Sequence, residues 1–453
     1  MAVAAGAKFT LVVTEDGHIC AVGDNSSGQL GVGDFDEHEE PCILNYMDSF
    51  GGHEVVMVAA AYRSCACVTK DGSLWYWGFD ITYSRARPTI CTPTKICNSL
   101  YGNSPAMMVA CGNSFMLILT ANGRVWSVGN ADYFQLGTGN TKSCGEPVCI
   151  DTEHFDGDEI GMVSAAGSHS MAVSKKGGRL WTWGNNCYGQ CGVFEDGDVK
   201  TPALIPSADL GNGEVTFVCC GFDFSMIVTS GGVVWSCGNN RCNETGLSVA
   251  LTRPRVFERV GGEEYFGPGG ARMVSCGLSH SMILAKNNSL WCCGSNMCRE
   301  LGCQRRADGR PTLVDSKNFQ RVNSEVWSDN DVQVVAAGER FSVAITSGGL
   351  VYIWGQVGGI SSSIHCMKEG ALGFAGNTTD HARAGHWHYM NRARIVAFVM
   401  GAQSKFANNA ADGGTTAYSA NFPEEMIQEL IYRMRYSPSE GNSEGLQALL
   451  GFY

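Results

Sequence analysis

Charge is scarce in this chain: Asp, Glu, Lys and Arg make up 17% of its 453 residues, against 44% hydrophobic ones. That balance excludes the highly charged, disordered class and calls for a packed core. Proline is sparse too, with 12 residues against 58 glycines, so chain reversals fall to glycine turns. No uninterrupted apolar run approaches the length of a membrane span, and no basic stretch offsets a formal net charge of −12. A surface of that sign repels phosphate backbones and anionic lipid, which argues against direct nucleic-acid binding and membrane insertion. Also missing are a Walker loop, a GxGxxG following a strand and a CxxC pair. Nucleotide hydrolysis, dinucleotide chemistry and a zinc framework are left without support, and no catalytic, cofactor or metal residue is assigned. The repeat described next starts at Ala2-Val3-Ala4, so no secretory leader is expected. The expected location is intracellular, cytoplasmic rather than nuclear.

What the chain has in abundance is a period. Gly23, Gly78, Gly129, Gly184, Gly238, Gly294 and Gly355 each close an apolar segment, at spacings of 51 to 61 residues by subtraction. The unit is clearest at Val163-Ser164-Ala165-Ala166-Gly167, then His169-Ser170-Met171-Ala172-Val173, then Leu180-Trp181-Thr182-Trp183-Gly184. Short alternating segments at such a period belong to radial β architectures rather than to helical solenoids. The expected fold class is all-β, a seven-bladed β-propeller over 1–357, whose length fits one body because each blade adds its own core layer. An insertion and propeller-closing segment over 358–420 and a short C-terminal amphipathic helix and tail over 421–453 are expected to follow.

Small residues open each unit, as at Val109-Ala110-Cys111-Gly112, and suit strands crowded at a central axis. Trp75, Trp77, Trp126, Trp181, Trp183, Trp235, Trp291 and Trp354 all end a unit and read as packing between blades. Many of the 21 cysteines occupy small apolar slots, Cys111, Cys219, Cys220, Cys237 and Cys276 among them, and read as core hydrophobes. Asp16-Gly17, Asp71-Gly72, Asn122-Gly123 and Gly231-Gly232 read as two-residue hairpin turns. The loops after the closing glycines, such as Gly28-Gln29-Leu30-Gly31, read as joints from one blade to the next. Segments led by Pro41, Pro93, Pro147, Pro202, Pro254 and Pro311 read as fourth strands that precede six units, each with proline at the strand start. The first unit has no such segment before it. Residues 394–400, Arg-Ile-Val-Ala-Phe-Val-Met, are therefore expected to close the ring by supplying its missing strand.

The pattern Val-Ala-Ala/Cys-Gly-x-x-His-Ser, Asp/Asn-Gly, Leu-Trp-x-Trp-Gly-x-Asn, Gly-Gln-Leu-Gly resembles the regulator of chromosome condensation repeat, over about residues 1 to 357. The resemblance implies the propeller and, for function, a protein partner. In that family the two residues between the small-residue glycine and the next strand form loops on one face that commonly touch partners. The candidate partner-binding face drawn from those pairs is Lys8, Tyr62, Arg63, Asn113, Phe222, Asp223, Glu339 and Arg340. The family's plant UV-B photoreceptor relies on tryptophans packed with arginines there, and none of the fourteen paired residues here is Trp. Its exchange factor for the Ran GTPase carries a basic tail and an inserted wedge, neither recognisable here, so neither member is a close match.

The expected function is a non-enzymatic intracellular interaction scaffold that presents blade-connecting loops. The alternative is a guanine-nucleotide exchange factor for a small GTPase, with Asp223 as its one matched acidic position. A minor alternative is a ubiquitin-ligase adaptor, because Met426, Ile427, Leu430, Ile431 and Met434 form a helical stripe whose opening resembles the first helix of an F-box. His169 and His280 stand where other units place Phe9, Phe115, Phe224 and Phe341, so they read as packed histidines. His381, His386 and His388 with Asp380 read as an exposed polar loop rather than a metal site.

Overall fold

A computed structural model of the chain describes residues 2–366 apart from 80, 82–88, 248–249, 303–314, 328–330 and 358–359. The expected closing segment 394–400, the histidine cluster at 381–388 and the helix near 423–434 lie outside the described residues.

Seven four-stranded antiparallel sheets follow one another along the chain, each made from a contiguous segment with its strands in sequence order. The chain is a seven-bladed β-propeller. The first strands (Ala2–Ala5, Val55–Ala60, Ala106–Gly112, Ile160–Ala166, Val215–Cys220, Ala271–Cys276 and Val332–Ala337) lie side by side around the axis, each against its neighbours. Their small side chains permit that approach, as the sequence implied. The last of them packs on the first, where Ala336, Phe341, Val343 and Ile353 bury against Val3 and Ala5 and the Glu339 N–H donates to the Gly6 carbonyl at 3.1 Å. Among the described residues the ring thus closes by packing, without a shared strand.

That arrangement corrects five sequence expectations. The first blade is complete from its own chain, because Ile19–Gly23 pairs onward with His38–Leu44, so no strand is missing for residues 394–400 to supply. The segments led by Pro41, Pro93, Pro147 and Pro202 belong to the blade before them rather than the blade after, and the glycine-rich loops join third to fourth strand within one blade; in blade five the fourth strand begins at Glu258, past the segment led by Pro254, and the segment led by Pro311 lies outside the described residues. The prolines also sit inside the fourth strand: Pro41, Pro93, Pro147 and Pro202 each fall at the point where its register with the third strand shifts. A bulge in an outermost strand is where a residue without an N–H costs no ladder bond. The four hairpins named above have three-residue loops, as where the Thr14 N–H donates to the His18 carbonyl and the Gly17 N–H to the Thr14 carbonyl, with Gly17 at φ 81°.

Seams between blades have a common construction. Each crossing to the next blade is a helical turn of four residues carrying or abutting one large buried side chain: Phe50, Tyr101, Phe155, Leu210, Phe266 and Trp327. Phe155 meets Trp181 edge-on at 5.7 Å and Trp183 at 6.0 Å; Trp327 does the same for Tyr352 at 4.8 Å. On the opposite side of five seams a loop carbonyl receives hydrogen bonds from the following blade, the Gln29 carbonyl from Trp77 Nε1 and the Cys65 thiol among them. The Gln135 carbonyl accepts from Trp183 Nε1 at 2.9 Å and Ser170 Oγ at 2.9 Å, while the Glu300 carbonyl accepts from Trp354 Nε1 and Ser342 Oγ. At Gln190 and Glu244 the tryptophan is replaced by Cys237 and Cys293, and the serine bond remains. Ten of the described cysteines are buried and none is in a disulfide.

His169 and His280 are fully buried in these seams. His169 Nε2 lies 2.8 Å from Ser225 Oγ, and His280 Nε2 lies 2.9 Å from Ser342 Oγ, each serine being on the next blade. Each serine already donates to a loop carbonyl, so the histidine nitrogen is the donor and the ring is neutral. The packed reading of both histidines holds. Among the described residues no helix is long and apolar enough to cross a membrane.

Candidate functional site

Each blade's first-to-second-strand loop is pinned by its own third strand. The residue after the closing glycine donates its N–H to the loop carbonyl: Asp24 to Lys8, Phe79 to Arg63, Asn239 to Asp223 and Gln356 to Arg340, at 2.8 to 3.1 Å. The closing glycine permits this because it adopts positive φ, and a Cβ at Gly78 would stand 2.3 Å from the Arg63 carbonyl. Loops are also tied to one another, through the Ala7 N–H to the Tyr62 carbonyl and the Phe222 N–H to the Gly277 carbonyl. The result is a rigid ring of short loops around one mouth of the axis, with the third-to-fourth-strand loops at the same end.

On this face the structure brings together half of the predicted residues. Lys8, Tyr62, Glu339 and Arg340 line one cleft of about 210 Å³ with Ala7 and Gln356, at the seam where blade seven meets blade one. Tyr62 is 47% exposed, Arg63 sits over its ring at 5.3 Å, and Arg340 is 3.8 Å from Glu339. Asn113 is exposed on blade three, and the pair Phe222 and Asp223 stands apart on blade five, so these three do not join the cleft.

Two features of the face escape sequence reading. Tyr188 on blade four is flanked by Arg253 and Arg241 of blade five, at 4.8 and 5.7 Å from its ring, an amphipathic cluster in a loop that had been read as a joint. The second is the buried Glu244, which stands near Asp223, the acidic position already marked in the sequence. Burial pushes the Asp223 carboxyl up to about 6, and burial, with Asp223 and Asp315 adding repulsion, pushes Glu244 up to about 7. Glu300 on the next blade is also raised by burial.

Glu244 occupies the slot of Gln135 and Gln190. Those glutamines accept from a loop N–H through Oε1 and donate from Nε2 to Asn130 and Asn185. Glu244 keeps the first bond, Oε2 accepting from the Cys242 N–H at 2.7 Å, but its buried Oε1 has no partner. An ionised carboxylate there is desolvated without compensation. Its raised folded pKa means that the protonated form's advantage is full below the unfolded value and disappears as pH rises through 7. Glu244→Gln should therefore gain about 2 kcal/mol at pH 8 and little at pH 4.5. Denaturant titrations at the two pH values check this, and an equal effect at both would show that charge is not the cause.

Among the described residues no group of three His, Cys, Asp or Glu is placed to hold a metal.

Comparison with known proteins agrees with this geometry. A family model described as the RCC1-like domain matches residues 84–407, and models of the regulator of chromosome condensation (RCC1) repeat match 16–68 and 2–29. The chain is 27% identical over 361 residues to the ultraviolet-B receptor UVR8 of Arabidopsis thaliana, covering 78% of this chain and 76% of that protein. It is 28% identical over 296 residues to the E3 ubiquitin-protein ligase HERC2 of Homo sapiens, covering 62% of this chain but 6% of that protein. The solved structure of Prp20p from Saccharomyces cerevisiae shares the fold with a TM-score of 0.63 at 22% identity, covering 76% of this chain and 81% of that one. With seven four-stranded blades and a family model matching residues 84–407, the chain belongs to the RCC1 repeat family.

Proposed function

We propose that this propeller is a non-enzymatic interaction scaffold whose pinned loop face receives a protein partner. The observation that carries the reading is the convergence of Lys8, Tyr62, Glu339 and Arg340 on one cleft, with Arg63 beside it. Exposed Tyr and Arg held on rigid backbone supply contact area at low entropic cost, the composition of interface anchors. The displayed loops lie within blades rather than between them, which makes them stiffer than connecting loops. Relatives as different as a receptor and a ubiquitin ligase share the propeller, which suits a recognition module better than a common reaction. Prp20p was described together with its binding to Gsp1p and histones.

Proximity labelling in the source cell, followed by pull-down, tests the choice of face. The double variant Tyr62→Ala/Arg63→Ala should weaken capture of a specific partner about tenfold or more, while Lys70→Ala, at a hairpin of the other end, should not. Equal recovery with all three proteins would remove this face from consideration.

Guanine-nucleotide exchange on a small GTPase is the second reading, favoured by Asp223, a half-buried carboxyl on the loop face whose acidic character suits a basic group of a partner. Faster release of labelled GDP at catalytic amounts, blunted by Asp223→Ala, would select it. Stoichiometric binding without faster release selects the scaffold.

A further inference from the structure

Around the axis, the seams of blades four to seven place one small polar or thiol side chain at a recurring position of the first strand. Ser164 Oγ of blade four accepts from the Cys220 N–H of blade five at 2.9 Å, and Ser275 Oγ of blade six accepts from the Ala337 N–H of blade seven at 2.8 Å. Cys219 holds this position in blade five, its thiol donating to the Cys220 carbonyl at 3.7 Å, and the neighbouring Cys276 of blade six lowers its pKa. The Cys276 thiol donates to the Cys219 carbonyl at 3.6 Å. Two thiols from neighbouring blades therefore face each other across a seam, on strands that have no covalent link nearer than 57 residues of chain.

We propose that Cys219 and Cys276 are an oxidation site, a thiol pair that peroxide converts into a disulfide tying blade five to blade six.

Cys219 is the attacking sulfur. It is partly open to solvent while Cys276 is buried, and the adjacent Cys276 favours its thiolate, whereas burial holds the Cys276 thiol high. The Cys219 thiolate attacks one peroxide oxygen, the O–O bond breaks, and the departing hydroxide takes up a proton as water, leaving a sulfenic acid on Cys219. The Cys276 sulfur then attacks the Cys219 sulfur, the S–O bond breaks and a second water leaves with the Cys276 proton. Two thiols have lost two electrons and hydrogen peroxide has gained them. The vicinal Cys220 is not the partner on this geometry, since it lies in the core cluster of the preceding seam with Ile227 and Cys237.

The test uses the full chain, reduced and then treated with hydrogen peroxide at low protein concentration. Remaining thiols are alkylated, and the non-reducing digest is read by mass spectrometry. A peptide linking Cys219 to Cys276, lost on adding dithiothreitol, is expected. Cys219→Ser and Cys276→Ala should each abolish it. Both variants install residues that equivalent positions already hold, Ser164 and Ser275 for the first and Ala165 and Ala337 for the second, so the fold is retained. Circular dichroism and melting of each variant confirm that. A Cys219–Cys220 link, a sulfinic acid stranded on Cys219, or oxidation confined to the exposed Cys97 and Cys187 would each overturn the assignment.

Discussion

Replacing Trp183 by alanine should lower stability by about 3–5 kcal/mol, and melting by on the order of 10 °C. The indole is fully buried, packs on Phe155, and donates to the Gln135 carbonyl of the preceding blade at 2.9 Å. Gly137 gives it room: a Cβ there would stand 2.8 Å from Nε1. Alanine leaves a cavity and also deprives that carbonyl of one of its two donors. Trp183→Phe separates the two losses, because it keeps most of the apolar area and removes only the donor, at an expected cost of about 1 kcal/mol for the bond plus whatever volume is lost. Cysteine, the residue that blades five and six hold at this place, should fall between the two variants. Urea titration followed by tryptophan-independent circular dichroism measures the series. An alanine variant within 1 kcal/mol of the parent would mean that the seams collapse freely and that the staple is not what holds them.

Acid should unfold the protein largely through His169 and His280. Burial depresses the two imidazoles to about 3 and about 4, far below the ordinary histidine value near 6.5. Their neutral rings contribute stability that is fully present above the unfolded pKa and is lost as pH falls through the window from 6.5 towards 4, where only the unfolded chain takes up protons. By pH 4.5 each histidine should cost about 2–3 kcal/mol. The second ring nitrogen of each has no partner, so protonation would place an N–H in an apolar seam. Glu244 and Asp223 titrate the other way over part of this range and soften the wild-type curve. The double variant His169→Phe/His280→Phe isolates the histidines, since phenylalanine fills the same position as Phe9, Phe115, Phe224 and Phe341. Its melting temperature should fall less than that of the parent between pH 7 and 4.5. Parallel curves would show that the rings are not protonated on unfolding.

The period was legible because the closing glycine is demanded by geometry in every blade: positive φ, with a carbonyl where a Cβ would stand. The phase of the repeat was not. Spacing tells how long a blade is, but which strand begins it depends on pairings such as Trp181 with Leu204, which leave no mark in the spacing. That is why the fourth strands were assigned to the wrong neighbour and a missing strand was inferred for the first blade. The helical turns between blades were also invisible, since four residues such as Thr152–Phe155 carry no periodicity and the plug they deliver looks like any apolar residue. On the candidate face, the variable loop pairs marked Lys8, Tyr62 and Arg340, but only closure of the ring brings residues 8 and 340 to one cleft. Glu244 went unnoticed because a Gln-to-Glu exchange in a glycine-rich loop reads as minor until the buried, partnerless oxygen is seen.

Closure by packing alone has a consequence for how the molecule is made. Six of the seven seams join blades adjacent in sequence, so their formation needs only local loop closure and can spread outward from any blade that forms first. The seventh joins the two ends of the described ring, Val3 and Ala5 against Ala336 and Phe341. On a ribosome the first blade emerges long before its last neighbour and keeps one flank of its inner strand uncovered through the whole of synthesis. That waiting flank is short and lined with Ala2, Val3, Ala4 and Ala5, small residues that offer little surface to a wrong partner. The same alanines that let seven strands crowd one axis also keep the unfinished ring from sticking.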